Sequence, residues 1–136
     1  MTSMGGRYRK GSDFERDIVA AFNDRGWVAF RAAGSGRLEK SLPDVVALKG
    51  GRVIMVECKA TSNDRLSLKP AMLSLTEYAA KAGAKSYIAV RFFRQRPRFY
   101  DIFDLMARDS YTINDKDEYL TVDAVIGRRG ESKDEF

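Results

Sequence analysis

The sequence predicts an α/β fold, a central mixed five-stranded β-sheet flanked by helices. Three observations carry this expectation. Phe14, Ile18 and Phe22 recur at helical spacing near the start of the chain. Two apolar runs, Val45 to Leu48 and Val53 to Val56, flank Gly50-Gly51 as in a β-hairpin. A second helical stripe, Met72, Leu75 and Ala79, then separates that hairpin from two further strand-like runs. The order helix, three strands, helix, two strands implies a mixed sheet covered by helices. A helix between the third and fourth strands calls for a right-handed crossover and parallel pairing there.

Taken in order, residues 1–11 read as a flexible basic arm, 12–127 as one domain and 128–136 as a flexible, mixed-charge tail. Ser12-x-x-Glu15 matches a capping box, and Arg25-Gly26 supplies a cation and a glycine at the far end, so the first helix is expected over about 13–25. Trp27 to Ala33 reads as a strand, and Gly34-Ser35-Gly36-Arg37 to Ser41 as a mobile loop before the hairpin. Ala60 to Leu68 is polar and looplike, after which Pro70 suits the first turn of a helix ending near Ala82-Gly83. Lys85 to Phe92 and Arg98 to Phe103 are expected to form a second hairpin across a basic connection. Leu120 to Ile126 reads as a short helix capped by Thr121, or as a strand.

A chain of 136 residues can bury about two-thirds of its unfolded surface in a single core. No run approaches the roughly 20 apolar residues of a membrane span, and no secretory pattern follows Arg7, Arg9 and Lys10, so a soluble, intracellular protein is expected. The single cysteine, Cys58, alternates inward with Ile54 and Val56 and reads as a small buried hydrophobe. The chain has no histidine, which excludes histidine triads, histidine-ligated zinc and histidine acid–base catalysis. Carboxylates, lysine, tyrosine and a metal held by hard oxygens remain, favouring magnesium or manganese. The net charge of +5 suits an acidic polymer. Basic residues gather at Arg7, Arg9 and Lys10, at Arg31, Arg37 and Lys40, and at Arg91, Arg94, Arg96 and Arg98. Each group alone describes a solvated surface, whereas three together favour phosphate binding.

The chemistry concentrates in Pro43-Asp44 and Glu57-Cys58-Lys59. If Gly50 and Gly51 are the two loop residues, facing positions have numbers that sum to 101, and Asp44 faces Glu57 with Lys59 on the same face. A three-residue loop would shift the sum to 100 and send the acids to opposite faces. Alternation of apolar Ile54, Val56 and Cys58 with a face that turns polar favours the first register. Like charges placed opposite each other are destabilising, and a divalent cation would offset them. Two carboxylates can supply part of an octahedral magnesium shell, with Lys59 stabilising charge on a phosphate or orienting water.

These residues resemble the PD-(D/E)xK nuclease superfamily, matched by Pro43-Asp44 and Glu57-Cys58-Lys59. The fuller pattern is similar to the archaeal-type Holliday junction resolvases over roughly residues 7–126. It includes Gly11-Ser12-Asp13-Phe14-Glu15-Arg16 and Arg31-Ala32-Ala33-Gly34-Ser35-Gly36. The resemblance implies a restriction-endonuclease-like core in a homodimeric, magnesium-dependent endonuclease that cuts four-way DNA junctions by paired, nearly symmetric nicks. Manganese is expected to substitute. It also implies that Asp44 and Glu57 bind metal, that Glu15 completes the site, that Lys59 is catalytic and that Ser35 takes part. Arg7, Arg9, Lys10, Arg31 and Arg37 are the expected DNA contacts, and the location would be cytoplasmic, with the nucleoid. Recombination or sliding-clamp partners are left open.

Each residue also has a plainer role. A capping box accounts for Glu15, a flexible turn for Ser35, and strand packing for Tyr87 and Tyr100, which otherwise suit base stacking. Phe92, Phe93, Phe99 and Tyr100 serve equally as core or as a dimer surface. Two other functions fit the same residues: another nuclease of the superfamily acting on duplex or flap DNA, and a DNA-binding module without catalysis.

Overall fold

The computed structural model describes residues 3–32, 42–108 and 110–127, with the side chains of 3–12 left aside. Helix α1 spans Ser3–Asn23, and strands β1 (Val28–Arg31), β2 (Val45–Lys49) and β3 (Arg52–Thr61) follow. Then come β4 (Arg65–Ser67), α2 (Lys69–Ala82), β5 (Lys85–Phe92) and β6 (Arg98–Asp101). Short elements α3 (Ile102–Met106), β7 (Thr112–Asn114) and α4 (Val122–Gly127) complete the order. The main sheet has five strands in the order β1-β2-β3-β5-β6. All neighbours are antiparallel except β3 and β5, whose parallel pairing is joined through α2 as expected. No helix among the described residues is long and apolar enough to cross a membrane.

Alternation along the strands divides the core into two layers. On one face, Phe14, Ile18 and Phe22 of α1 pack on Val45, Ala47, Ile54, Val56, Tyr87, Ala89 and Phe99. Phe22 is fully buried and meets the edges of Trp27 and Phe99 at centroid distances of 5.9 and 6.5 Å. On the other face, Met72, Leu75 and Ala79 of α2 cover Ile88, Val90, Phe92 and Tyr100, joined by Ile102 and Leu105 of α3 and by Ile113. Tyr87, Phe92, Phe99 and Tyr100 are therefore core residues, and Phe93 alone of the aromatics that could serve a dimer surface is exposed. Cys58 is only partly buried against the first layer, not enclosed in it.

The β2–β3 connection sets the register. Gly50 and Gly51 have φ of 56° and 80°, the two successive positive values that a two-residue hairpin turn requires. Lys49 consequently pairs with Arg52 and Val45 with Val56, the register in which partner numbers sum to 101.

Four expectations are corrected. Helix α1 begins at Ser3, so Ser12 and Glu15 lie within it and form no cap, and most of the expected arm has a helical backbone. Once the packed turns exist, each added residue is inexpensive, and residues 3–12 contain no proline to stop propagation. The expected loop over 60–68 instead holds the end of β3 and then β4, which pairs with β7 in a small second sheet. Leu66 and Ile113, one partly and one fully buried, face each other there, an apolar contact between distant segments that local polarity conceals. The strand expected over 98–103 turns into α3 at Ile102, because Asp101 accepts a hydrogen bond from the Phe103 amide at 2.8 Å and starts the helix. Finally, β1 is shorter than the run from Trp27 to Ala33, since Trp27 turns into the core below α1.

Replacing Phe22 by alanine is expected to lower stability by about 3–5 kcal/mol, because the vacated volume lies between two rings that cannot both close on it. Denaturant unfolding of the two proteins measures the difference.

Candidate active site

The site forms where β2 begins and β3 passes its middle. Asp44 directly precedes β2, and its backbone carbonyl accepts from the Ala32 amide at 3.0 Å, extending the β1–β2 ladder by one step. Its side-chain Oδ2 accepts from the Cys58 amide across the hairpin at 2.8 Å. Glu57 in turn accepts a hydrogen bond from the Asp44 backbone amide. The two acids are thus crossed over one another by backbone contacts, which holds them together despite like charge. Lys59, two residues further along β3, brings Nζ to 3.8 Å from Glu57 Oε2 and remains 43% exposed, whereas the glutamate is 17% exposed. The acid is enclosed and the base faces outward.

Glu15 and Arg31 reach this site from α1 and β1. Arg31 Nε donates to Glu15 Oε1 at 2.9 Å, with both side chains mostly covered. Asn23 fastens the end of α1 to β1 by accepting from the Ala29 amide at 3.0 Å and donating to the Ala29 carbonyl at 3.3 Å. At the other side of the helix, Arg91 of β5 pairs with Asp17 at 3.1 Å and lies over the Phe14 ring. These contacts place the turn carrying Glu15 beside the hairpin. Neither Asn23 nor the Asp17–Arg91 pair was anticipated, and the second joins positions 74 residues apart that no local pattern connects.

Electrostatics mark the pair of acids as strained. Burial, opposed by the Cys58 amide and reinforced by the charge of Glu15, raises the Asp44 pKa above its ordinary value. Burial and then the neighbouring charge of Asp44 raise Glu57 to about 7. Burial likewise lifts the Cys58 thiol well above its usual range, which leaves it unreactive as a nucleophile. Among the described residues no three acids or cysteines form a group that could hold a metal ion; Glu15 is held by Arg31 and acts on Asp44 and Glu57 through its charge. The two partly desolvated carboxylates offer hard oxygen donors whose mutual repulsion a divalent cation would relieve.

Ser35 and Arg37 lie outside the described residues, as does Lys40. Arg7, Arg9 and Lys10 are on α1, with side chains not described. The basic group of β5 and β6 divides in two. Arg91 is engaged with α1, and Arg98 donates to the Asp115 carbonyl and to Gln95 while lying over Tyr119, leaving Arg94 and Arg96 on the exposed turn.

Residues 6–133 match the archaeal Holliday junction resolvase (hjc) family. The chain belongs to that family. A crossover junction endodeoxyribonuclease Hjc of Methanocaldococcus jannaschii is 30% identical over 126 residues, which cover 90% of each chain. The Hjc of Archaeoglobus fulgidus is 33% identical over 94 residues, covering 68% of this chain and 69% of that one. The crystal structure of the Archaeoglobus fulgidus protein, described as a Holliday junction resolvase from an archaeal hyperthermophile, superposes with a TM-score of 0.65 at 29% identity. It covers 77% of this chain and 88% of that one. The family is one of nucleases, and the mixed five-stranded sheet with its flanking helices is the restriction-endonuclease-like fold.

The raised Glu57 pKa has a signed consequence for stability in the absence of divalent ions. Between its unfolded value near 4.5 and about 7, the folded state holds more protons than the unfolded one. Stability from this group is therefore present at low pH and is lost as pH rises through about 7. Glu57→Gln is expected to stabilise the metal-free protein at pH 8 by about 1–3 kcal/mol, with little effect at pH 5. Urea unfolding at the two pH values tests this, and equal effects at both would contradict it.

Proposed function

We propose that this protein is a structure-selective endonuclease that resolves four-way DNA junctions. It acts as a homodimer, introducing paired, nearly symmetric nicks that leave 5′-phosphate and 3′-hydroxyl ends. The observation that carries this reading is the convergence of Asp44, Glu57 and Lys59 on one end of the β2–β3 hairpin in a chain of this family. A chromosomal substrate would put it in the cytoplasm, with the nucleoid. A four-way junction has approximate two-fold symmetry, and an isologous dimer presents one site to each of two equivalent strands.

Asp44 and Glu57 would hold magnesium, with manganese able to substitute, because the donors are hard carboxylate oxygens and the chain has no histidine. The bound ion supplies Lewis-acid polarisation of the scissile phosphate and makes water more acidic. The protein does the rest by position. The Cys58 amide anchors the Asp44 carboxylate, leaving its second oxygen available. Lys59 carries its cation on the exposed side of Glu57, where it meets a phosphate and stabilises the negative charge that grows there. Arg31 holds Glu15 beside the acid pair, and its own cation would meet the substrate strand. Arg7, Arg9 and Lys10 at the start of α1, with Ser35 and Arg37 further along the chain, supply further contacts to the strand.

Cleavage of a mobile four-way junction with magnesium, run beside matched duplex, is the deciding experiment. The wild type is expected to cut the junction in preference to the duplex and to yield nicks that a ligase reseals. Asp44→Asn should bind the junction and cut at background level, and Lys59→Ala should lose about 10²–10³ in rate with binding retained. Equal cutting of duplex would assign the protein another nuclease activity, and no cutting by the wild type with any divalent ion would leave a binding module.

A further inference from the structure

The β5–β6 turn stands at the same end of the sheet as the acids. Because β3 and β5 run parallel, with Glu57 beside Ile88, Lys59 beside Val90 and Thr61 beside Phe92, the chain leaves β5 just beyond the catalytic lysine. Phe93 comes three residues after the partner of Lys59, so it lies roughly 10 Å further along the sheet. That is about three nucleotides of one strand at 3.4 Å each.

The side chains of this turn sort by what they touch. Arg91 and Arg98, at its two stems, are tied to the protein body through Asp17 and through the Asp115 carbonyl. The tip is different. Phe93 is 58% exposed, Arg94 lies over its ring at 5.1 Å, and Arg96 is exposed beside them. Among the described residues no carboxylate pairs with Arg94 or Arg96. The Gln95 amide donates to the Phe92 carbonyl at 2.8 Å, closing a tight turn in which Arg94 takes φ of 57°. Glycine or asparagine suits such a position better, and an arginine there carries a conformational penalty that its packing within the protein does not explain. A cationic, aromatic tip in front of an acidic catalytic centre matches the chemistry of nucleic acid, in which phosphates take guanidinium groups and an unstacked base takes a ring face.

We propose that residues 93–97 form a second DNA-contact site. Arg94 and Arg96 bind backbone phosphates of the strand as it passes from the catalytic centre, and Phe93 stacks on a base exposed where the strands exchange. This rests on the junction-resolving reading above. It extends that reading by giving the enzyme a grip on the branch from a strand turn, separate from α1 and from residues 35–37.

The test uses the full-length protein in EDTA, with junction affinity measured across a range of salt concentrations. Arg94→Gly combined with Arg96→Ser should weaken binding about tenfold or more at low salt. It should also reduce the slope of log affinity against log salt by up to about 2, near 0.9 for each phosphate that is no longer neutralised. Arg94→Gly removes the left-handed arginine, so melting temperature should be unchanged or higher, which separates a binding defect from a folding defect. Phe93→Ala should weaken junction binding at least about fivefold. A salt slope equal to that of the wild type in the double variant overturns the phosphate contacts, and unchanged affinity in Phe93→Ala overturns the stacking. If the wild type itself neither binds nor cuts junctions, the resolvase reading fails and this proposal falls with it.

Discussion

The register of the β2–β3 hairpin is the constraint on which the rest of the structure depends. Two successive glycines with positive φ leave a turn of two residues, and that turn alone decides which residues face each other. The same register buries Val45, Ala47, Ile54 and Val56 under α1 and sets Asp44 against Glu57 at the open end. A slip by one residue would turn one strand's pair, Val45 and Ala47 or Ile54 and Val56, to the wrong layer, at about 1.5–3 kcal/mol for each valine or isoleucine, and would separate the acids. Core packing and the geometry of the acid pair are therefore enforced by one set of contacts, and a folded hairpin is already an assembled acid pair.

That arrangement works against itself electrostatically. Asp44 and Glu57 are partly desolvated, the charge of Asp44 raises Glu57 and the charge of Glu15 raises both, yet the backbone amides of Cys58 and Asp44 hold their carboxylates in place. The surrounding core supplies the stability that such a site consumes. Phe14, Ile18 and Phe22 fix α1, the Asp17–Arg91 pair holds its middle and the Asn23 hydrogen bonds its end, and Arg31 partly neutralises Glu15. The proposed cation would gain most at such a site, where the carboxylates are least stable alone.

Charge along the chain gains meaning only once the contacts are known. Arg91, Arg94, Arg96 and Arg98 form one basic run, but the strand alternation and the turn divide them. Two are engaged with the protein body and two are presented at the tip. The net charge could indicate an acidic partner, but the topology alone shows which of these arginines are available to it. The aromatic residues divide in the same way, with Phe92, Phe99 and Tyr100 buried and Phe93 exposed.

By itself the sequence determined the five-stranded mixed sheet, the two main helices, the hairpin register and the Asp44, Glu57 and Lys59 grouping. Each follows from local periodicity or from turn chemistry within about fifteen residues, and such signals survive without knowledge of distant neighbours. Tertiary structure decided the rest. It paired β4 with β7, set Asp17 against Arg91 and brought Glu15 to Arg31. Glu15 was explicable locally as a helix cap, and only packing of α1 on the sheet gave it a different partner. The physical reason is that burial and ion pairing join residues far apart in the chain, and those energies override local preference wherever the two compete.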